Sequence, residues 1–220
     1  MYLINGKEVT KEEFQIPVED LVIWRGDGIF EAIGIHQGFL FALEEHIERF
    51  KKSAQKMHFD NIDFDEIEKD LVRVASNYDS GYMRVIIGRG ASKEESKVYM
   101  FYQDPIPAPD YYSLQSHKAH WMSGGDFQID EVSNIAAKST SYAMNMSHTR
   151  LAEKEGFTDS LLLNKDNIVL EGPSFSVAWI KAGKVFIPDL DLGILDSVTR
   201  RSLIAVPYTH LRAHETSLHL

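Results

Sequence analysis

The spacing of hydrophobic residues in the first half of the chain changes between the strand period and the helix period. Alternating apolar positions bounded by turn residues are typical of strands. Asn5-Gly6 and Gln37-Gly38 are turn pairs that predict two hairpins. The pattern predicts strands over residues 2–4, 7–9, 28–36, 39–42, 82–88 and 97–103.

Two segments of this half show the helical period. Apolar residues recur every three or four positions from Leu43 to Met57, which predicts an amphipathic helix. Within it, Arg49 follows Glu45 at i,i+4 spacing, which is typical of ion pairs on a solvent-facing side of a helix. Asp63 can cap a second helix that begins just after it.

A proline-rich segment separates the two halves. Three of the seven prolines fall within residues 105–109, and proline continues neither a helix nor a central strand. We therefore expect a first domain over residues 1–103, a linker over 104–113 and a second domain over 114–205. The second domain is predicted to contain strands at 114–122, 175–180 and 184–187, a helix at 142–155, and a hairpin of 160–163 with 168–171. The fold class predicted is α/β of the α+β type, with two domains.

Composition and charge argue against several classes of partner and site. The net charge of −10 argues against nucleic acid and anionic membranes as partners. The chain has no cysteine, which excludes thiol nucleophiles, thiolate zinc sites and iron–sulfur clusters. No apolar run reaches the roughly 18 residues of a membrane-spanning helix, and the N-terminus lacks the pattern of a signal peptide. These features predict a cytoplasmic protein without a membrane partner.

Without cysteine, the candidates for chemistry are basic and acidic side chains. Lys138 lies among small residues ahead of a helix, a setting that suits Schiff-base chemistry, although most lysines in such loops are simply exposed. Glu171 ends an apolar strand and needs a cationic or hydrogen-bonding partner there; a structural salt bridge is the common alternative. Arg49 is either a phosphate clamp or half of the helical pair with Glu45.

Other motifs point to no chemistry. His117 and His120 are three apart in a predicted strand and so lie on opposite faces, and we expect no metal site. The glycine-rich stretch 88–92 lacks the Gly-Lys-Ser/Thr ending of a phosphate loop. No nucleophile elbow supports Ser-His-Asp catalysis.

Several stretches, taken in order, resemble the class IV (fold-type IV) aminotransferases, which use pyridoxal phosphate (PLP). The resemblance extends from residue 1 to about residue 205. The matching stretches are Arg25-Gly-Asp-Gly-Ile-Phe-Glu31, Glu45-His-Ile-Glu-Arg49-Phe with Ser53-Ala54, Tyr82-Met-Arg84-Val-Ile-Ile with Arg89-Gly90, Lys138, Gly156-Phe-Thr-Asp-Ser-Leu-Leu-Leu163, Val169-Leu-Glu171-Gly172, and Gly193-Ile-Leu195-Asp-Ser-Val-Thr199-Arg200.

The resemblance implies a role for each matching residue. Lys138 would bind PLP covalently and, once freed by substrate, move a proton between the substrate α-carbon and the cofactor. Glu171 would keep the pyridine nitrogen protonated, and Arg49 would bind the phosphate. Leu195 would pack on the ring. The resemblance adds Tyr142, Ser197, Val198 and Thr199 as cofactor contacts; the N–H groups of Val198 and Thr199, where a helix begins, would help Arg49 to bind the phosphate. It adds Phe30 and Arg84 as substrate contacts. It also implies a homodimer.

Departures from the family pattern bear on the substrate. Phe30 stands where D-amino-acid transaminases carry a tyrosine, as in branched-chain aminotransferases and aminodeoxychorismate lyases. Ala32 replaces a threonine that relays a proton in the lyases. Gly34 stands where branched-chain enzymes usually carry an arginine. Those enzymes also carry an asparagine-tyrosine pair after the lysine, and the similar pair here, Ser141-Tyr142, lies one residue closer to the lysine.

The function expected is amino transfer between an amino acid, branched-chain or otherwise apolar and of L configuration, and 2-oxoglutarate. Aminodeoxychorismate lyase, which releases 4-aminobenzoate and pyruvate, and D-amino-acid transaminase are the enzyme alternatives. A truncated, inactive fragment that fails to retain PLP is the non-enzyme alternative, and a binder of sulfonated or phosphorylated small molecules is a more distant one.

The last residues depart from the family. Residues 206–220 contain three of the nine histidines and resemble translated sequencing-adapter sequence. We therefore expect these residues to be a non-native tail and the second domain to be incomplete; a naturally shortened homologue is the alternative.

Overall fold

The structure, a computed structural model, describes residues 1–91, 96–119 and 136–205. The predicted tail 206–220, the end of the strand predicted over 114–122, and His120 lie outside the described residues. The chain divides into two units. The first consists of Met1–Ala108 with Ala137–Ser141, and the second of Pro109–Ala136 with Tyr142–Leu220.

The first unit contains a six-stranded antiparallel sheet. The strands are β1 (Tyr2–Ile4), β2 (Lys7–Val9), β3 (Gly28–His36), β4 (Phe39–Leu40), β5 (Ser80–Gly88) and β6 (Lys97–Gln103). Their order in the sheet is β2-β1-β6-β5-β3-β4. The predicted hairpins are confirmed, and the turn at Asn5-Gly6 has both φ angles positive, at 49° and 76°.

Helices cover one face of this sheet. They are α2 (Leu43–Lys56) and α3 (Phe64–Ala75); a further short helix, α1 (Leu21–Arg25), precedes β3 in the sequence. Alternate residues of β3, among them Ile29, Glu31 and Ile33, are buried on this face, as the strand period requires. The predicted cap of α3 is confirmed, because the side chain of Asp63 accepts a hydrogen bond from the Glu66 amide at 2.9 Å.

The second unit combines short strands with helices. Its elements are β7 (Leu114–Lys118), α4 (Ala143–Lys154), β8 (Asp159–Leu163), β9 (Trp179–Lys181), β10 (Lys184–Phe186), a 3₁₀ helix (Leu190–Leu192) and α5 (Val198–Ala205). β7 and β8 pair in parallel. The Leu162 amide donates to the Glu171 carbonyl and the Leu162 carbonyl accepts from the Leu170 amide, both at 2.9 Å, so the chain returns antiparallel to β8 as predicted. Residues 168–171 form only one isolated bridge, between Leu163 and Val169, and not the predicted strand. β9 begins at Trp179, later than the predicted start at residue 175.

The mixture of helices and strands confirms the predicted fold class. Residues 104–113 form no helix or strand. Ala137–Ser141 belongs to the first unit by its contacts, although it follows the linker in the sequence. Among the described residues, no helix is both long and apolar enough to cross a membrane.

Candidate functional site

The sheet face opposite α2 and α3 carries the predicted substrate residues of the first unit. Phe30 and Ala32 are half-buried on this face of β3, and Arg84 pairs with Ala32 from β5. The Nε of Arg84 donates to Oε1 of Gln103 at 2.7 Å. A Cβ added to Gly34 would meet no described atom within 4 Å, so this part of the face has room beside it.

Lys138 lies against the start of β3. Its backbone amide donates to the Ser53 hydroxyl at 3.0 Å, and its carbonyl accepts from the Phe30 amide at 3.0 Å. The Nζ atom is 4.4 Å from the centroid of the Phe30 ring. An ammonium over an aromatic face is attracted to the ring. The structure therefore brings two of the predicted residues, Lys138 and Phe30, into contact.

Arg49 is buried and belongs to a cluster of three side chains. Its Nε and Nη2 atoms donate to the two carboxylate oxygens of Glu31, both at 2.7 Å. The Nδ1 of His46 lies 2.8 Å from the same carboxylate; since an ionised carboxylate only accepts, Nδ1 is the donor. The prediction that Arg49 lies on the solvent side of its helix is wrong: it is 7% exposed and faces β3.

Electrostatics keep the Glu31 carboxylate ionised. Burial alone would raise its pKa, but the hydrogen bonds and charges of Arg49 and His46 outweigh burial and lower the pKa below its ordinary value. For Arg84, burial lowers the pKa of the guanidinium, and the neighbouring Tyr82 acts against that shift. A guanidinium nevertheless remains charged at neutral pH. The candidate residues of the first unit thus include two arginines, Arg49 and Arg84, and the amine of Lys138.

In the second unit, Glu171 is oriented by the backbone. Its Oε2 accepts from the Leu195 amide at 3.2 Å, so these two predicted residues are adjacent. Gly172 follows because a Cβ there would lie 2.2 Å from the Phe175 ring, which excludes any side chain. A half-buried carboxylate held by an N–H donor is suited to accept a further hydrogen bond from a protonated nitrogen.

The predicted phosphate contacts of the second unit lie at a helix start. α5 begins at Val198, as predicted, and the Ser197 hydroxyl accepts from the Arg200 amide at 3.3 Å. Thr199 is exposed in the first turn. The first amides of a helix are donors without intrahelical partners, and they favour anions. Tyr142 is half-buried immediately before α4.

Sequence reasoning assigned no role to Glu31, His46 or Ser53. Glu31 carried one signal, since it is the single acid at an inward position of an otherwise apolar strand. Ser53 lies four residues after Arg49 and thus on the same face of α2, but a small polar residue there reads as ordinary helix packing. Their partners are far away in sequence, and only the fold identifies them.

Comparison with known proteins gives a consistent assignment. The family model of Amino-transferase class IV matches residues 28–220. A Methanocaldococcus jannaschii protein, provisionally named a branched-chain-amino-acid aminotransferase, is 28% identical over 211 residues, which cover 91% of this chain and 72% of that protein. A D-alanine aminotransferase of Bacillus licheniformis is 27% identical over 213 residues, covering 92% of this chain and 73% of the relative.

A solved structure extends the similarity to the fold. An aminotransferase of Mycobacterium tuberculosis, described as hypothetical and determined in its PLP-bound form, superposes with a TM-score of 0.87 at 24% identity. The match covers 97% of this chain and 81% of that one. The chain therefore belongs to the class IV aminotransferases, a family of PLP-dependent enzymes.

Proposed function

We propose that Lys138 is the residue that binds PLP and carries the proton during amino transfer. The observation that supports this most strongly is the anchoring of Lys138: both backbone groups are hydrogen-bonded within the first unit, and its amine lies over Phe30. A fixed backbone leaves only side-chain torsions to place the amine, and such preorganisation favours catalysis.

The donors and acceptors present fit the cofactor. Two groups are suited to a phosphate dianion: the Arg49 guanidinium, and the helix start formed by Ser197, Val198 and Thr199. Glu171 is suited to the protonated pyridine nitrogen, and Leu195 to the apolar ring. Tyr142 is proposed as a hydrogen-bond donor to the cofactor. These assignments follow the family resemblance residue by residue.

The chemistry divides between cofactor and protein. When bound, PLP supplies an electron sink that stabilises negative charge at the substrate α-carbon. The Lys138 amine would accept the proton from the substrate α-carbon and deliver it to the cofactor, a general acid–base role. Glu171 holds a proton at the ring nitrogen, and Arg49 fixes the phosphate. Phe30 excludes water from the amine on one side.

Aminotransferases act on amino acids and oxo acids. We propose that the donor here is a branched-chain or other apolar L-amino acid and the acceptor is 2-oxoglutarate. Phe30 supports an apolar donor because its ring adds hydrophobic surface next to Lys138. Arg84 supports a carboxylate-bearing acceptor because its guanidinium lies on the same sheet face as Phe30.

A D-amino acid is the second candidate donor, favoured by the similarity to the D-alanine aminotransferase. Aminodeoxychorismate lyase activity is a weaker candidate, because Ala32 has no hydroxyl to relay a proton. We also propose a homodimer, which the family resemblance supports.

Absorbance spectroscopy tests the proposal. The full chain is mixed with PLP, and its visible spectrum is compared with that of Lys138→Ala. We expect a band of lysine-bound cofactor in the wild-type protein alone, and trapping by borohydride with peptide mass spectrometry should place the adduct on Lys138. A wild-type spectrum identical to that of Lys138→Ala would overturn the proposal. Donor screening with L- and D-amino acids and 2-oxoglutarate then separates the candidate substrates.

A further inference from the structure

The segment that carries Lys138 is held by the first unit through several hydrogen bonds. Ser139 bridges Ile29 in antiparallel fashion, and the Thr140 amide donates to the Gly28 carbonyl at 2.9 Å. The Thr140 hydroxyl donates to the Gly26 carbonyl at 2.8 Å. The segment is thus an added edge beside the first residues of β3.

Among these contacts, one side chain reaches the backbone of Lys138 itself. The Ser53 hydroxyl accepts from the Lys138 amide at 3.0 Å across 85 residues of sequence. Ser53 is 2% exposed, so the acceptor of this hydrogen bond is buried, while the Lys138 side is partly buried. A partly buried amide that loses its acceptor is left with an unsatisfied donor, which costs free energy.

The same helix also carries the proposed phosphate ligand. Ser53 follows Arg49 by four residues, which places the two side chains on one face of α2 about 5–6 Å apart at their Cβ atoms. Arg49 is in turn held by Glu31, the neighbour of Phe30 in β3. The Lys138 backbone and the Arg49 guanidinium are therefore both positioned by the same two elements, α2 and β3.

We propose that Ser53 is a positioning residue for Lys138, and that α2 sets the spacing between the lysine amine and the phosphate-binding guanidinium. This inference rests on the proposed function. Ser53 contacts no reacting atom in this scheme. Its hydroxyl keeps the Lys138 backbone in one place, so that the Lys138 amine would be correctly placed for the cofactor while Arg49 would hold the phosphate. Without that hydrogen bond the segment retains its contacts through Ser139 and Thr140, and we expect the chain still to fold.

The test uses the full chain with three variants. Ser53→Ala removes the acceptor, and Ser53→Cys keeps the shape of the side chain but supplies a larger and weaker acceptor. Ser76→Ala is the matched control, because its hydroxyl donates to the Arg73 carbonyl at the end of α3 and has no contact with Lys138. Thermal unfolding of each variant shows that it is folded.

Two readouts need no cofactor. Amide hydrogen exchange at Lys138 should be slow in the wild-type protein and about fivefold faster or more in Ser53→Ala, the effect of losing one hydrogen bond. The rate at which the Lys138 amine is acetylated, monitored by mass spectrometry, should also differ between Ser53→Ala and the wild type. Ser76→Ala should match the wild type in both. Fast exchange at Lys138 in the wild-type protein, or equal rates in Ser53→Ala and wild type, would overturn the proposal even if Ser53→Ala folds poorly.

A third readout uses PLP. Ser53→Ala should bind PLP about fivefold more weakly than the wild type, and Ser53→Cys should bind it with an affinity between those of the wild type and Ser53→Ala. If wild type and Lys138→Ala differ in absorbance but Ser53→Ala titrates like the wild type, only the positioning role fails. If wild type and Lys138→Ala are alike, the proposed function fails, and the cofactor-free measurements alone decide whether Ser53 holds Lys138.

Discussion

The buried Glu31 carboxylate accepts hydrogen bonds from Arg49 and His46 in the interior of the first unit. Both oxygens are used by Arg49, and one is shared with His46. Buried ion pairs often add little net stability, because desolvation offsets their attraction, but removing one partner leaves an uncompensated charge. We therefore infer that Glu31 serves mainly to fix the orientation of the Arg49 guanidinium.

Replacement of Glu31 tests this role. Glu31→Gln retains one acceptor oxygen but no charge, so the free energy of unfolding should fall by about 3 kcal/mol. Urea unfolding measures the change. Glu48→Gln, which affects an exposed pair with Lys52, is the control and should change stability by less than about 0.5 kcal/mol. A loss in Glu31→Gln as small as in the control would contradict the prediction.

The pH dependence of the same variant has a defined sign. The pKa of Glu31 is lower in the folded protein, so the unfolded state binds more protons in acid and the stabilisation is present above the unfolded pKa of about 4.3. It is lost as the pH falls through the folded pKa. The stability difference between wild type and Glu31→Gln should therefore be constant near neutral pH and shrink below about pH 4.3.

At the scale of elements, α2 and α3 begin in different ways. Ala42 precedes α2 with a φ of 48° and makes no side-chain cap, so α2 depends on its buried face. Asp63 caps α3 by a side-chain hydrogen bond. The cap is a local feature, readable from the sequence, whereas the packing of α2 is not.

The capping bond of α3 can be measured directly. Asp63→Ala should lower the free energy of unfolding by about 1 kcal/mol, because the Glu66 amide loses its acceptor. Asp63→Asn should restore most of that loss. Chemical denaturation of Asp60→Ala, an exposed acid just before the cap, provides the reference. Equal effects of Asp60→Ala and Asp63→Ala would show that charge, and not the capping bond, is responsible.

At the scale of the whole molecule, the property to be tested is the proposed homodimer. Large apolar side chains remain exposed in the first unit, among them Val18 at 69%, Trp24 at 59% and Phe39 at 78%. Exposed apolar patches often mark protein contacts. Light scattering after size exclusion should give twice the mass of the chain at micromolar concentration. A mass equal to one chain, independent of concentration and of added PLP, would contradict the homodimer.

The sequence by itself determined the local structure. Period and turn chemistry located the hairpins of β1 with β2 and of β3 with β4, the long helix α2 and the capped helix α3, because each depends on residues within a few positions of one another. The motifs, in their order, also led to the family that the comparisons confirmed.

Tertiary structure decided how the candidate residues are held. Arg49 was expected beside Glu45 on a solvent-facing side, but packing turns it toward Glu31, 18 residues away. Ser53 meets Lys138 across 85 residues, and no periodic pattern relates positions so distant. Local propensity reports on the nearest turn of chain, whereas a buried polar group needs a partner wherever the fold supplies one. For that reason the sequence indicated the candidate residues, and the fold alone showed which distant groups they contact.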